Sequence, residues 1–145
     1  MEGLQLESEA VQAIVKLSAG DMRKVLNILE SCALSYKNIP TCKIFEVTGR
    51  PSPTDIEQIY GSLTSSTFKD AFEIFMKLKT EKSLSLDDIV RDLHKQVMDT
   101  NFTENMKMFL ICRLSEIEYR LAKGANEKVQ VASVVGAFIE VRTIK

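Results

Sequence analysis

The chain has 145 residues, 45% hydrophobic and 27% charged, with a formal net charge of −1, enough polypeptide for one compact domain or two small ones. That balance excludes the bulk attraction by which strongly basic domains hold nucleic acid or acidic membranes, so any such contact must be local or borrowed. Cys32, Cys42 and Cys112 show no C-x-x-C spacing and leave an odd thiol, which argues against a disulfide framework or a zinc site and for small core residues in a reducing compartment.

Apolar residues recur at helical spacing almost throughout, and no segment shows the period-two alternation of a half-buried strand. The expectation is an all-α protein. Ser8 is placed to cap a first helix carrying Val11, Ile14 and Val15 and ending near Gly20. Asp21 opens a second, with Met22, Val25, Leu26, Leu29 and Ala33 on one face, so two helices meet at a tight corner. After a polar break from Lys37 to Pro40, a short helix from Thr41 ends at Gly49, and "GRPSPTD" supplies a turn with Ser52 as cap and Pro53 at the first helical position. That turn is the expected domain boundary, dividing residues 1–49 from 50–145.

Four or five longer helices follow. The first carries Ile56, Ile59, Tyr60 and Leu63, and the next Phe68, Ala71, Phe72, Phe75 and Met76. Ser85 and Asp88 resemble a capping box ahead of Leu86, Ile89, Val90, Leu93 and Val97. Thr103 and Asn105 precede the longest run, MKMFLICRLSEIEYRL, whose first half is apolar on nearly all sides, so it is expected to cross the middle of the bundle before ending at Gly124. The last helix turns Val131, Val134, Val135, Phe138 and Ile139 inward. Gly136 within it costs roughly 1 kcal/mol relative to Ala, which suggests close backbone packing. No repeat of fixed period is evident. No run of about 18 apolar residues exists to span a bilayer, and MEGLQLESEA lacks the regions of a signal peptide, so a soluble intracellular chain is expected.

Catalytic constellations are missing: the sequence contains no glycine-rich phosphate loop, no H-E-x-x-H and no G-x-S-x-G elbow. His94, alone at the edge of an apolar face, reads as a packed or surface histidine. Asp87, Asp88 and Asp92 could suggest a metal site, but the helix dipole favours carboxylates in a first turn, and the metal reading is set aside. Arg23 stands out. It falls off the stripe of Met22, Val25, Leu26 and Leu29 and sits at the positive end of its helix, where the dipole disfavours it. It is either a solvated arginine or part of an anion site in which backbone N–H groups, dipole and guanidinium together receive a phosphate.

"LSAGDMRKVLNIL" resembles the sensor-2 segment in the helical lid of AAA+ clamp-loader ATPases, "VTGRPSPTDIE" the join between lid and collar, and "EIEYRLAKGANEKVQ" the collar segment of replication factor C small subunits. The three lie in the right order over essentially the whole chain, and the IEYRL and NEKVQ wording is most like the eukaryotic subunit 5 branch, called subunit 3 in budding yeast. The resemblance implies a lid remnant over 1–49 and a five-to-six-helix collar bundle over 50–145. It matches Arg23 to the lid arginine that reaches the terminal phosphate of ATP bound in the same subunit. Glu116, Glu118, Arg120, Asn126, Glu127 and Gln130 match the collar signature, used for folding and subunit packing rather than chemistry.

The family's Walker A and B segments, sensor-1 residue and S-R-C arginine finger have no counterpart in this sequence. The resemblance therefore implies a C-terminal fragment with no cofactor and no catalysis of its own, ATP and Mg²⁺ belonging to the full-length subunit. Implied partners are the other replication factor C subunits and, through the whole complex, the sliding clamp and primer-template DNA, in the nucleus; weak self-association is also expected. A different reading of the same residues is a free-standing helical adaptor that takes a peptide in an interhelical groove. A DNA-binding helical module is disfavoured by the charge.

Overall fold

A computed structural model describes residues 5–35 and 38–143, the side chains of Gln5, Leu6 and Asn38 excepted. It is all-α in class, with eight helices among the described residues: α1 (Ser8–Ser18), α2 (Met22–Ser35), α3 (Thr41–Thr48), α4 (Pro53–Ser65), α5 (Phe68–Glu81), α6 (Leu86–Asp99), α7 (Glu104–Ala122) and α8 (Glu127–Val141). One feature escaped the periodicity. Residues β1 (Gln5–Leu6) and β2 (Asn38–Ile39) pair in parallel, Gln5 opposite Asn38 and Leu6 opposite Ile39. Two residues are too few for alternation to register. Lys37, where the polar break was expected, lies outside the described residues.

The chain divides into two compact units, residues 1–52 and 53–145. In the first, α1, α2 and α3 pack on one another around Ala10, Ala13, Ile14, Cys32, Ile39 and Ile44. The corner between α1 and α2 is made by Ala19 and Gly20, both left-handed at φ 49° and 86°, and Ser18 closes it by donating to the Val15 carbonyl at 2.9 Å. Gly49, at φ 64°, ends α3, donating its N–H to the Glu46 carbonyl at 3.2 Å. Several expectations for this unit are corrected. Glu7, not Ser8, occupies the N-cap of α1, without a side-chain cap bond. The inward face of α1 runs through Ala10, Ala13 and Ile14, leaving Val11 and Val15 exposed. On α2 the inward stripe is Val25, Ile28, Leu29 and Cys32, whereas Met22 and Leu26 are 69% and 54% exposed. Burial raises the pKa of the Cys32 thiol.

The second unit is a five-helix bundle, and its middle is not where the sequence suggested. α8 is the central helix: Gln130, Val131, Val134, Val135, Ala137, Phe138 and Val141 are all buried, and α4, α5 and α7 pack against it. α7, expected in the centre, buries only Leu110, Leu114 and Ile117 and turns Met108 and Tyr119 to solvent. Length and overall apolarity pointed to α7, but what admits a helix to the centre is small or branched residues on several faces, and α8 has them. Gly136 is also corrected: a Cβ built there would meet nothing within 4 Å.

Around α8 the core is completed by Ile59, Leu63, Ala71, Phe75, Leu86, Ile89, Val90 and Leu93. Tyr60 meets Phe138 edge to face at 6.0 Å, and its hydroxyl donates to Thr100 Oγ1 at 2.9 Å. Burial raises the Tyr60 pKa and the bond to Thr100 lowers it in part, leaving it above its ordinary value. Ser85 sits at the N-cap of α6 but makes no side-chain cap bond. A side-chain cap forms at α5, where Thr67 Oγ1 accepts from Asp70 N–H at 3.3 Å and donates its own proton to the Asp70 carboxylate at 2.8 Å. Two long-range contacts tie the bundle's ends. Lys82 pairs at 2.5 Å with Asp55, which is buried in the first turn of α4, and Arg142 donates to the carbonyls of Leu63 and Ser66 at the other end of that helix.

Candidate functional site

Arg23 is the second residue of α2 and is exposed. The Asp21 carboxylate accepts from the backbone N–H of Arg23 at 2.9 Å and of Lys24 at 3.4 Å, so it acts as the N-cap and supplies a counter-charge to the helix dipole. Two of the first-turn donors that a helix-terminus anion site would use are thereby taken. The guanidinium has no hydrogen-bond or ion-pair partner among the described residues. What this end of α2 can offer an anion is therefore a solvent-facing fork of N–H donors.

The six signature residues lie in the second unit, in three local arrangements. Glu116 and Arg120, one turn apart on α7, pair at 3.4 Å. Arg113 extends that pair, approaching Glu116 at 3.8 Å and Glu140 of α8 at 3.5 Å, with its guanidinium 5.3 Å from the centre of the Phe109 ring. Each pair is exposed and individually worth about 0–1 kcal/mol, so the network orients α7 against α8 more than it stabilises either. On the α6 side of α7, Glu118 faces His94, Oε1 to Nδ1 3.7 Å. His94 is half-buried, and its Nε2 is buried without a partner among the described residues.

The third arrangement is the α7–α8 corner. Gly124, at φ 81°, makes the turn, and Asn126 caps α8 by accepting from Val129 N–H at 3.3 Å. Glu127 then reaches Lys79 of α5 at 2.5 Å. Gln130, 5% exposed, enters the core with its Oε1 unpartnered among the described residues. These groups join α5, α7 and α8 at one corner of the bundle. No group of three or more His, Cys, Asp or Glu side chains able to hold a metal occurs among the described residues, nor any helix long and apolar enough to cross a membrane.

Sequence reasoning did not find Arg113, Lys79 or Arg142. Arg113 was within reach, because it stands three residues before Glu116 on one helix. Lys79 and Arg142 meet partners far off in the chain, and no local pattern marks them.

Residues 51–137 match the model of the replication factor C C-terminal domain. Over 139 residues the chain is 40% identical to a probable replication factor C subunit 5 of Dictyostelium discoideum, covering 94% of this chain and 40% of that protein. It is 35% identical over 137 residues to replication factor C subunit 5 of Mus musculus, with the same coverage. Against replication factor C subunit 3 of Oryza sativa subsp. japonica it is 37% identical over 142 residues, 98% of this chain and 39% of that protein. The chain thus spans about two fifths of the length of these relatives.

Proposed function

Because the chain belongs to the replication factor C C-terminal domain family, we propose that residues 53–145 are the collar of a clamp-loader small subunit and that residues 1–52 are the C-terminal part of its helical lid. The observation that carries this reading is the coincidence of two independent boundaries. The family match begins at residue 51, and the five-helix unit with its own core begins at Pro53.

The collar's task in this reading is assembly. Its polar signature is spent on holding α5, α7 and α8 in register, so that a rigid bundle is presented to neighbouring subunits in a five-membered ring. The assembled complex would load the sliding clamp onto primed DNA in the nucleus, in a step driven by ATP. Toward ATP the group this reading assigns is Arg23. The exposed Arg23 guanidinium fits a phosphate ligand, while the residues that would cradle the other phosphates and Mg²⁺ belong to the remainder of the subunit. When bound, the nucleotide supplies the hydrolysable phosphoanhydride; Arg23 would pair with its terminal phosphate from a capped, rigid helix end.

The test is co-elution of the intact chain with each of the other replication factor C subunits in size-exclusion chromatography. Stoichiometric association with one or two of them, and not with an unrelated helical bundle, is expected. Failure to bind any of them refutes the collar assignment.

A further inference from the structure

We infer that the solvent face of α7 is a self-recognition surface, on which a second copy of this chain lays its own α7 antiparallel across a two-fold axis. The collar reading neither requires nor predicts this pairing, because a two-fold contact closes on itself whereas a ring is built from head-to-tail contacts. α7 carries two rows whose members follow one another at steps of three and four residues. One row, Leu110, Leu114 and Ile117, is buried in the bundle. The other, Met108, Cys112, Ser115 and Tyr119, is exposed, and its two large members, Met108 and Tyr119, are each 65% exposed. That spacing is the seam along which one helix pairs with another.

Three properties select the occupant. The first is charge. None of the four seam residues is Asp, Glu, Lys, Arg or His, and the charged groups along the edges are engaged within the chain. Glu116 pairs with Arg120 at 3.4 Å and with Arg113 at 3.8 Å, and Arg113 also with Glu140 at 3.5 Å. On the other edge Glu118 faces His94 at 3.7 Å, and Lys107 donates to the Met98 carbonyl at 3.2 Å. The complement of such a strip is an uncharged helical row rather than a charged peptide or a polyanion.

The second property is symmetry. Read in opposite directions, the seam matches itself: about an axis between Cys112 and Ser115, Met108 meets Tyr119 of the second copy at both ends, and Cys112 meets Ser115 in both inner layers. A thioether against an aromatic ring is a favourable contact. The same register brings Glu116 beside Phe109 of the second copy and Glu118 beside its Ile111, so no like charges oppose across the axis. A parallel pairing would instead stack each seam residue on its own copy and lose the contact between Met108 and Tyr119. The third property is area. Two thirds of an aromatic side chain is roughly 100–160 Å², and two such groups from each copy fall short of the roughly 1,200 Å² of a stable interface. The pairing is therefore transient, with a dissociation constant of about 10 μM or weaker.

The experiment is sedimentation velocity on the intact chain, from about 5 μM to about 1 mM, with three single variants and one double. The sedimentation coefficient is expected to rise with concentration from monomer toward dimer and no further. Met108→Lys and Tyr119→Glu each place a charge on the seam at an exposed position of α7, and both new residues are good helix formers, so the fold is kept, as circular dichroism will verify. Each should weaken association about tenfold or more, a difference of about 1.4 kcal/mol. The double variant sets lysine against glutamate only in the antiparallel register, and its association should return to within about threefold of the original. Leu26→Lys, 54% exposed on α2 in the first unit, should change nothing. A chain still monomeric at about 1 mM overturns the inference, as does growth beyond the dimer or loss of association on Leu26→Lys. A double variant as weak as its parents overturns it too, since a parallel pairing would stack like charge on like. Co-elution with other subunits is a separate measurement, so the collar reading and this pairing can fail independently.

Discussion

Gly136→Ala should stabilise the second unit, the reverse of what a glycine buried in close helix packing would do. Gly136 lies in the interior of α8, is only partly buried, and keeps a negative φ that alanine adopts without strain. The added methyl meets no atom within 4 Å, so no steric loss opposes the gain in helix propensity, about 0.8–1 kcal/mol. Lowered entropy of the unfolded chain is the other face of the same gain and is not added to it. For a unit of this size, about 1 kcal/mol raises the melting temperature by roughly 4–8 °C. Thermal and urea unfolding followed at 222 nm reads it directly, with the urea midpoint moving up and the slope unchanged. A fall in stability would show that the backbone at Gly136 is closely approached and that the placement of α8 is wrong. A stabilised variant that binds partner subunits less well would put this strip of α8 in a subunit contact.

Tyr60→Phe should change the alkaline limb of stability. With its folded pKa raised by burial, Tyr60 contributes stability fully present below about pH 10, its ordinary value, and lost as pH rises through the folded pKa. The variant should lose about 1 kcal/mol at neutral pH with the bond to Thr100, and its stability should fall less steeply above pH 10 in pH-resolved urea titrations; an unchanged alkaline slope would contradict the burial. Arg23→Ala should leave the melting temperature within about 1 °C, because the exposed side chain makes no hydrogen bond or ion pair among the described residues. Under the proposed lid role, the same substitution in a full-length subunit should weaken ATP-dependent clamp engagement, and unchanged engagement would return Arg23 to a solvated role.

Local chemistry was legible in part. Thr103, read as preceding α7, caps it, Pro53 opens α4, and Gly49 and Gly124 take the positive φ that ends a helix, because capping and left-handed backbone depend on a handful of neighbouring atoms; Ser8 and Ser85, equally plausible caps by residue type, make no side-chain cap bond. The signature residues were likewise findable as a run, but their physical work was not. Glu127 needs Lys79 and Glu118 needs His94, and nothing in the spacing of either names its partner.

The sequence by itself determined that the chain is helical, where most of its helices begin and end, and which family it resembles. The tertiary structure decided which face of each helix is inside. On α1 and α2 more than one apolar row was available, and the packing buried Ala10, Ala13 and Ile14 rather than Val11 and Val15, and turned Ile28 and Cys32 inward beside Val25 and Leu29 while leaving Met22 and Leu26 exposed. It also put α8 rather than α7 at the centre of the bundle. Burial is a property of what surrounds a helix, and hydrophobic stabilisation scales with area removed from water by neighbours distant in the chain. Periodicity reports that a helix has an apolar side; only the assembled bundle settles which of two apolar helices is the more deeply enclosed.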